Sequence, residues 1–212
     1  MKTVLCYGDS LTWGYSAEGP DRHAYEDRWP SVLQKALGDK ALVIAEGLNG
    51  RTTAFDDHLG SGDRNGARVL PALLNTHAPL DLVILFLGTN DMKPWIAGRA
   101  IAARQGMQRL IDIVRGHSYP LAADAPDILL VAPPALRETG DPDFAAMFEG
   151  GVEQSKMLAS LYADLADLAG CGFFDAGSVA KTTPLDGVHL DAAGTRAVGR
   201  GLEPIIRMML GL

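Results

Sequence analysis

Three side chains of this sequence have types and positions that could perform acyl transfer. Ser10 follows a short apolar run, residues 4–7, and the turn residues Gly8-Asp9. Much later in the chain, Asp186 and His189 lie three residues apart. Nucleophilic acyl transfer needs a hydroxyl, a base that takes its proton and an acid that orients the base. A serine in a turn more often caps a helix, so the paired Asp186 and His189 are what favour a catalytic role for Ser10.

The elements that must position these residues alternate between strands and helices. The apolar run at residues 82–87 is continuous, which is typical of a strand covered on both faces. The alternation predicts a three-layer α/β/α sandwich with a mostly parallel, flavodoxin-like sheet of five strands, formed by residues 1–212 as a single domain. The predicted strands are residues 4–7, 42–45, 82–87, 128–131 and 173–174; the predicted helices are residues 29–37, 69–74, 101–114, 152–169 and a last helix that Asp191 caps.

Polar segments rich in turn residues follow the predicted strands. Residues 15–27, 51–66 and 133–150 are predicted to be loops, and the second has no periodicity. Because parallel strands end at the same edge of a sheet, the segments around Ser10, Gly50, Asn90 and His189 can meet there. The sequence therefore predicts a ligand site at the carboxyl edge of the sheet.

Composition excludes several classes of function. The chain has 26 acidic and 19 basic residues, a net charge of -7 and no Lys/Arg run, which disfavours nucleic acid and anionic membrane as partners. Cys6 and Cys171 are predicted to be buried thiols. The longest apolar run is too short to span a bilayer, which takes about 20 residues, and the N-terminus has no signal-peptide pattern. We therefore expect a soluble cytoplasmic protein.

Four sequence blocks in order carry a resemblance to a known family. They are Gly8-Asp9-Ser10-Leu11, Glu46-Gly47-Leu48-Asn49-Gly50, Gly88-Thr89-Asn90-Asp91 and Asp186-Gly187-Val188-His189. The chain resembles the SGNH, or GDSL, esterases over its whole length. Further segments resemble the arylesterase/acyltransferase branch of that family, whose members include a perhydrolase. They are residues 10–14, 46–48, 51–53, 148–151 and Asn90-Asp91 with Lys93.

The resemblance implies a role for each block. Ser10 attacks the ester carbonyl, His189 takes and later returns the proton, and Asp186 fixes the imidazole tautomer. The backbone amide of Ser10 and the side-chain amide of Asn90 donate to the oxyanion, because a developing negative oxygen needs neutral N–H donors. A third donor is the amide of Gly47 or Gly50, and the branch pattern favours Gly50.

The resemblance also implies the SGNH hydrolase fold and an assembly, whereas the pocket is inferred from aromatic residues in loops expected to cover the active edge. The expected substrate is a small-molecule ester, the expected assembly is a homo-oligomer, an octamer by family resemblance, and neither a cofactor nor a metal is expected. Asp9 and Asp91 are expected to hold loops through bonds to the backbone. The expected apolar acyl or aryl pocket comprises Trp13, Lys93, Phe144, Phe148 and Val188.

Alternative interpretations remain open at this point. The same triad would serve a carbohydrate O-acetylesterase, and a flavodoxin-like sheet could instead carry a non-catalytic small-molecule or nucleotide-binding module. The simultaneous presence of Ser10, Asn90, Asp186 and His189 favours an enzyme. Residues 56–58 (Asp-Asp-His) lack a distant partner for a metal, and the glycine spacing fits neither a dinucleotide fingerprint nor a phosphate-binding loop.

Overall fold

A parallel sheet of five strands forms the middle layer of the computed structural model, which describes residues 1–19, 21–120 and 123–212. Its strands are β1 Lys2–Gly8, β4 Ala41–Gly47, β5 Leu82–Phe86, β6 Asp127–Ala132 and β7 Gly172–Asp175. The strand order is β4-β1-β5-β6-β7, and all neighbouring pairs are parallel. The five predicted strands and the flavodoxin-like sandwich are confirmed.

Alternate residues of the central strands point into two separate cores. On β1, Val4 and Cys6 belong to one core, and Leu5 and Tyr7 belong to the other. Because the side-chain period of a strand is two, a continuous apolar run fills both cores at once. The sheet is therefore covered by helices on both faces.

Helices α2 and α8 pack together over the first core, whereas α3, α4 and α7 cover the second. Asp191 caps α8 as predicted, its carboxylate accepting a hydrogen bond from the Gly194 amide at 2.6 Å. The helix bounds are α1 Ser10–Trp13, α2 Trp29–Leu37, α3 Gly66–His77, α4 Ala100–Gly116, α5 Pro142–Met147, α6 Gly151–Ser155, α7 Leu158–Ala169 and α8 Ala192–Leu210.

Two predicted elements differ from the structure. The helix expected over residues 152–169 is divided into α6 and α7, and the hydroxyl of Ser155 at the division donates to the Val152 carbonyl while accepting from the Leu136 amide. Such local bonds compete with a continuous helix. The loop expected over residues 15–27 contains the hairpin strands β2, Tyr15–Ser16, and β3, Asp21–Arg22; Pro20 of this loop lies outside the described residues.

Helix α3 is longer than its predicted six residues, and α5 occupies part of the segment predicted as a loop at 133–150. Asn65 caps α3, accepting hydrogen bonds from the Ala67 and Arg68 amides, and Asp141 caps α5 in the same way. These caps accept hydrogen bonds from amides at the helix N-termini. The spacing of apolar residues along the sequence does not reveal where such caps lie. None of the described helices is both long and apolar enough to cross a membrane.

Candidate active site

Ser10 is held at the end of β1 by a cap on the short helix α1. The Asp9 side chain accepts a hydrogen bond from the Leu11 amide at 2.9 Å, and the Asp9 carbonyl accepts from Trp13. Gly14, in the left-handed conformation, ends the helix after a single turn. The chain thus leaves the buried strand and presents the Ser10 hydroxyl at the carboxyl edge of the sheet, with Ser10 only 6% exposed.

His189 lies between Ser10 and Asp186. Its Nε2 is 2.9 Å from Ser10 Oγ, and its Nδ1 is 2.5 Å from Asp186 Oδ2. The second carboxylate oxygen of Asp186 accepts from the backbone amides of Val188 and His189, each at 2.9 Å. The three residues singled out from the sequence therefore form a connected hydrogen-bonded chain, with each side chain at least nine-tenths buried.

The carboxylate of Asp186 is maintained in its ionised form. Burial disfavours the charge, but hydrogen bonds from the His189 ring and from the two backbone amides outweigh it and lower the pKa of Asp186 below its ordinary value. An ionised Asp186 accepts the Nδ1 proton of His189. That tautomer leaves Nε2 free to accept the proton of the Ser10 hydroxyl.

Three N–H groups lie beside Ser10. The backbone amides of Ser10 and Gly50 donate to no acceptor in the part of the chain that the structure describes. The Asn90 side-chain nitrogen lies 3.2 Å from the Arg51 carbonyl and 3.4 Å from Asp9 Oδ2, which places its amide at the same edge. Glycine at position 50 has a φ of 81°, in a region that favours glycine over residues with a Cβ.

Gly47 and Gly50 have different surroundings. Gly50 lines the cavity that contains Ser10 and His189. Gly47 ends β4 beneath α1, where a Cβ would lie 2.2 Å from the Trp13 nitrogen. Close packing therefore accounts for glycine at position 47, and of the two glycines it is Gly50 that lines the cavity.

Two fully buried carboxyl groups hold the loops around the site in place. Asp91 accepts hydrogen bonds from the amide and the hydroxyl of Thr53, and Asp9 accepts from Leu11, as the sequence predicted for loop-holding residues. Burial, opposed only in part by these bonds, raises the pKa of each carboxyl to about 7. Both residues therefore exchange protons near neutrality without facing the cavity.

Arg51 joins the strand ends that carry the site. Its guanidinium donates to the carbonyl of Gly8 at 2.8 Å and to that of Glu46, and it lies 4.1 Å from the centre of the Tyr7 ring. Arg51 is 3% exposed. It therefore links the ends of β1 and β4, which lead to Ser10 and Gly50.

A cavity of about 140 Å³ opens directly onto Ser10 and His189. Four predicted pocket residues line it, namely Lys93, Phe144, Phe148 and Val188. The fifth, Trp13, is not among the residues that line this cavity. Its ring lies 4.5 Å from the Arg22 guanidinium, and its carbonyl accepts a hydrogen bond from Arg22 Nε.

Three cavity residues were not predicted from the sequence. Tyr15 packs against the His189 ring with centroids 4.3 Å apart, Asn49 immediately precedes Gly50, and Met147 ends α5. The position of Asn49 inside the second sequence block was a signal that could have identified it. For Tyr15 and Met147 the sequence pattern offers no such signal, because loop folding decides which way they face.

Two other histidines form hydrogen bonds within the protein. His23 Nε2 lies 3.0 Å from the Leu190 carbonyl beside the site, and His77 Nε2 lies 2.8 Å from Glu46. Across residues 1–19, 21–120 and 123–212, no group of three or more His, Cys, Asp or Glu side chains is arranged to hold a metal ion.

Comparison with known families identifies the chain. The model of the GDSL-like Lipase/Acylhydrolase family matches residues 6–197. The chain belongs to this family. It is an esterase, a carboxylic-ester hydrolase with the SGNH fold, and the resemblance inferred from its four sequence blocks is confirmed. Comparison with curated proteins gave no match.

Solved structures of this esterase family superpose closely on the chain. A carbohydrate acetylesterase family member from Sinorhizobium meliloti is 70% identical, with 100% of each chain covered and a TM-score of 0.99. A proposed arylesterase from Agrobacterium tumefaciens is 51% identical (99% and 100% covered, TM-score 0.93). The aryl esterase of M. smegmatis is 41% identical, with the same coverage and TM-score.

Proposed function

We propose that this esterase hydrolyses short-chain acyl and aryl esters through an acyl-enzyme on Ser10, and that it also transfers acyl groups. The observation that carries the proposal is the hydrogen-bonded chain from Ser10 Oγ to His189 Nε2 at 2.9 Å and from His189 Nδ1 to Asp186 at 2.5 Å. A base within hydrogen-bond reach of a hydroxyl, itself oriented by a carboxylate, is the arrangement that activates a serine nucleophile.

In the acylation step, Ser10 Oγ bonds to the ester carbonyl carbon while His189 Nε2 takes the hydroxyl proton. The negative oxygen of the tetrahedral intermediate accepts hydrogen bonds from the amides of Ser10 and Gly50 and from the side chain of Asn90. His189 then gives its proton to the departing alkoxide, so the carbon–oxygen bond breaks and a neutral alcohol leaves.

In the second step, an acceptor attacks the acyl-enzyme. Water gives the carboxylic acid, an alcohol gives a new ester, and hydrogen peroxide gives a peracid. His189 takes the proton of each acceptor and returns it to Ser10. The ratio of transfer to hydrolysis depends on how well the acceptor competes with water inside a cavity whose walls include Phe144, Phe148 and Val188.

The size and the lining of the cavity favour substrates with small acyl or aryl groups. Its volume of about 140 Å³ is well below the roughly 300–1,000 Å³ typical of pockets for drug-sized ligands. Its wall combines the aromatic rings of Phe144 and Phe148 with the side chains of Met147 and Val188. Such a wall favours acetyl and other short chains over long ones, because a longer chain would have to displace packed side chains.

A carbohydrate O-acetylesterase is the second candidate. The observation that favours it is the 70% sequence identity to a protein described as a carbohydrate acetylesterase family member. The same triad would remove an acetyl group from a sugar hydroxyl by the steps above. A comparison of p-nitrophenyl acetate, its longer-chain homologues and acetylated sugars as substrates would separate the two candidates.

We also propose that the chain assembles as a homo-oligomer. Large apolar side chains lie on its surface, among them Trp95, which is 44% exposed, and Leu185, which is 52% exposed. Light scattering should give a mass that is a multiple of 22.5 kDa. A monomer across the concentration range used for kinetics would contradict this proposal.

A serine-directed fluorophosphonate tests the catalytic assignment. The reagent should add one covalent mass at Ser10, and Ser10→Ala should abolish both the adduct and hydrolysis of p-nitrophenyl acetate. Ser61→Ala is the matched control, because Ser61 is exposed in a loop and should not affect labelling. A labelled Ser10→Ala protein that retains esterase activity would refute the assignment. Assays with added alcohol then measure the ratio of ester to acid.

A further inference from the structure

Two polar side chains of the active-site cavity have no part in the chemistry proposed above. Lys93 lines the cavity and is 8% exposed. Its closest carboxylate oxygen, on Asp57, is 3.9 Å away, beyond hydrogen-bonding distance. No acceptor in the described ranges of the chain binds the ammonium, which lies 5.8 Å from the centre of the Phe148 ring. Lys93 therefore has N–H groups free for a ligand.

Asn49, another residue of the cavity wall, has an unpaired acceptor atom. Its side-chain oxygen is buried and, within the described residues, accepts no hydrogen bond. Asn49 lines the cavity together with Ser10 and His189. Buried polar atoms in folded proteins nearly always have a partner, so an unpaired one beside a nucleophile indicates a group that the substrate supplies.

The chemistry of the two groups restricts the substrate. An ammonium only donates hydrogen bonds, whereas a carboxamide oxygen only accepts them. A hydroxyl group placed between them would accept from the Lys93 ammonium and donate to the Asn49 oxygen; a carboxylate there would leave the Asn49 oxygen facing a second acceptor, and a methyl group would leave both unpaired. We propose that Lys93 and Asn49 form a polar subsite that binds a hydroxyl group of the ester, an inference that rests on the proposed esterase function.

The hydroxyl could belong to either part of the ester. On the alcohol side it would be a free hydroxyl of a partly acetylated diol or sugar. On the acyl side it would be the hydroxyl of a hydroxy acid. Both present the same donor and acceptor to Lys93 and Asn49, and matched pairs of simple esters distinguish them.

The experiment compares esters that differ by one hydroxyl. The alcohol pair is 2-hydroxyethyl acetate and propyl acetate, and the acyl pair is ethyl glycolate and ethyl propionate. For each pair the ratio of kcat/KM, hydroxyl ester over methyl ester, is measured in the wild type, Lys93→Met and Asn49→Leu. Comparing the ratio between proteins removes the intrinsic reactivity of each ester. Lys93→Arg keeps a charged donor, and Lys35→Met removes an exposed lysine outside the cavity.

In one of the two pairs, we expect the ratio to fall about tenfold in both Lys93→Met and Asn49→Leu, because a site that hydrogen-bonds a substrate hydroxyl rejects the analogue that lacks it. Lys93→Arg should recover part of the loss, and Lys35→Met should keep the wild-type ratio. The affected pair tells which part of the ester carries the hydroxyl.

Ratios unchanged in both variants, with hydrolysis retained, would overturn the subsite and leave the esterase function intact. Failure of the wild type to hydrolyse any of the four esters, together with absence of the Ser10 adduct, would instead overturn the proposed function. Thermal unfolding of each variant shows whether a loss of activity comes from misfolding. If one of the two variants misfolds, the kcat/KM ratio measured in the other decides the outcome.

Discussion

Replacement of Asp186 by Asn should disable the base while leaving the loop in place. The Asn oxygen can still accept the 2.9 Å hydrogen bonds from the Val188 and His189 amides. At the position of Oδ2, however, an NH2 group would donate to His189 Nδ1. The imidazole would then carry its proton on Nε2, facing Ser10, and could no longer take the hydroxyl proton.

The expected loss is about 10⁴-fold in kcat, the magnitude found when the same change is made in a serine-protease triad. This corresponds to about 5.4 kcal/mol of transition-state stabilisation, at 1.36 kcal/mol for each factor of ten. The free energy of unfolding should change far less, by about 1–2 kcal/mol, because only one hydrogen-bond partner of Asp186 changes and the two backbone bonds persist.

Hydrolysis of p-nitrophenyl acetate measures the change in kcat. The Ser10→Ala variant gives the background rate without the nucleophile, and thermal unfolding checks that each variant is folded. Asp191→Asn is the matched control. It changes a carboxylate two residues beyond His189 that only caps α8, and Asn is an equally good cap. Its kcat should stay within about twofold of the wild type. An Asp186→Asn enzyme with more than one-tenth of the wild-type kcat would refute the orienting role.

Three further changes follow from the geometry. Asn90→Ala should lower kcat about 10²–10³-fold with a smaller change in KM, because one oxyanion donor is removed. Asp9 and Asp91 ionise near pH 7 when folded and near their ordinary value of 3.8 when unfolded, so the folded chain binds more protons between these values. The free energy of unfolding should therefore fall by up to about 1.4 kcal/mol per pH unit for each group from about pH 4 to 7, and Asp9→Asn should reduce this slope in urea titrations. Gly47→Ala should lower both Tm and kcat, because its Cβ would lie 2.2 Å from the Trp13 nitrogen and displace the helix that carries Ser10.

Each of these changes has a control on the surface or in open space. Asn75→Ala, at an exposed position of α3, should keep the wild-type kcat, and an equal loss there would contradict the role of Asn90. Exposed Asp112→Asn should leave the pH slope of stability unchanged. Gly116→Ala, with nothing within 4 Å of the new Cβ, should not destabilise the protein; if Gly47→Ala is equally harmless, the packing argument fails.

Local sequence patterns predicted the strands, most helices and the four site blocks. A continuous apolar run such as residues 82–87 can fill both cores only as a buried strand, so its interpretation needs no tertiary information. Helix division at residues 156–157 was not predictable, because it depends on a bond between Ser155 and the distant Leu136 amide. The hairpin at residues 15–22 was missed because its two strands have only two residues each.

The sequence by itself determined which residue types lie at the carboxyl edge of the sheet. Each of the predicted site blocks follows a strand or occupies the corresponding place, and parallel strands end at the same edge. Only the tertiary structure decided whether those blocks touch. Ser10 and His189 are 179 residues apart, and their 2.9 Å contact depends on the packing of both helical layers against one sheet. The same packing turned Trp13 toward Arg22 and brought Tyr15 and Met147 into the cavity wall. Side-chain direction in loops follows from contacts with residues distant in sequence, which no local pattern encodes.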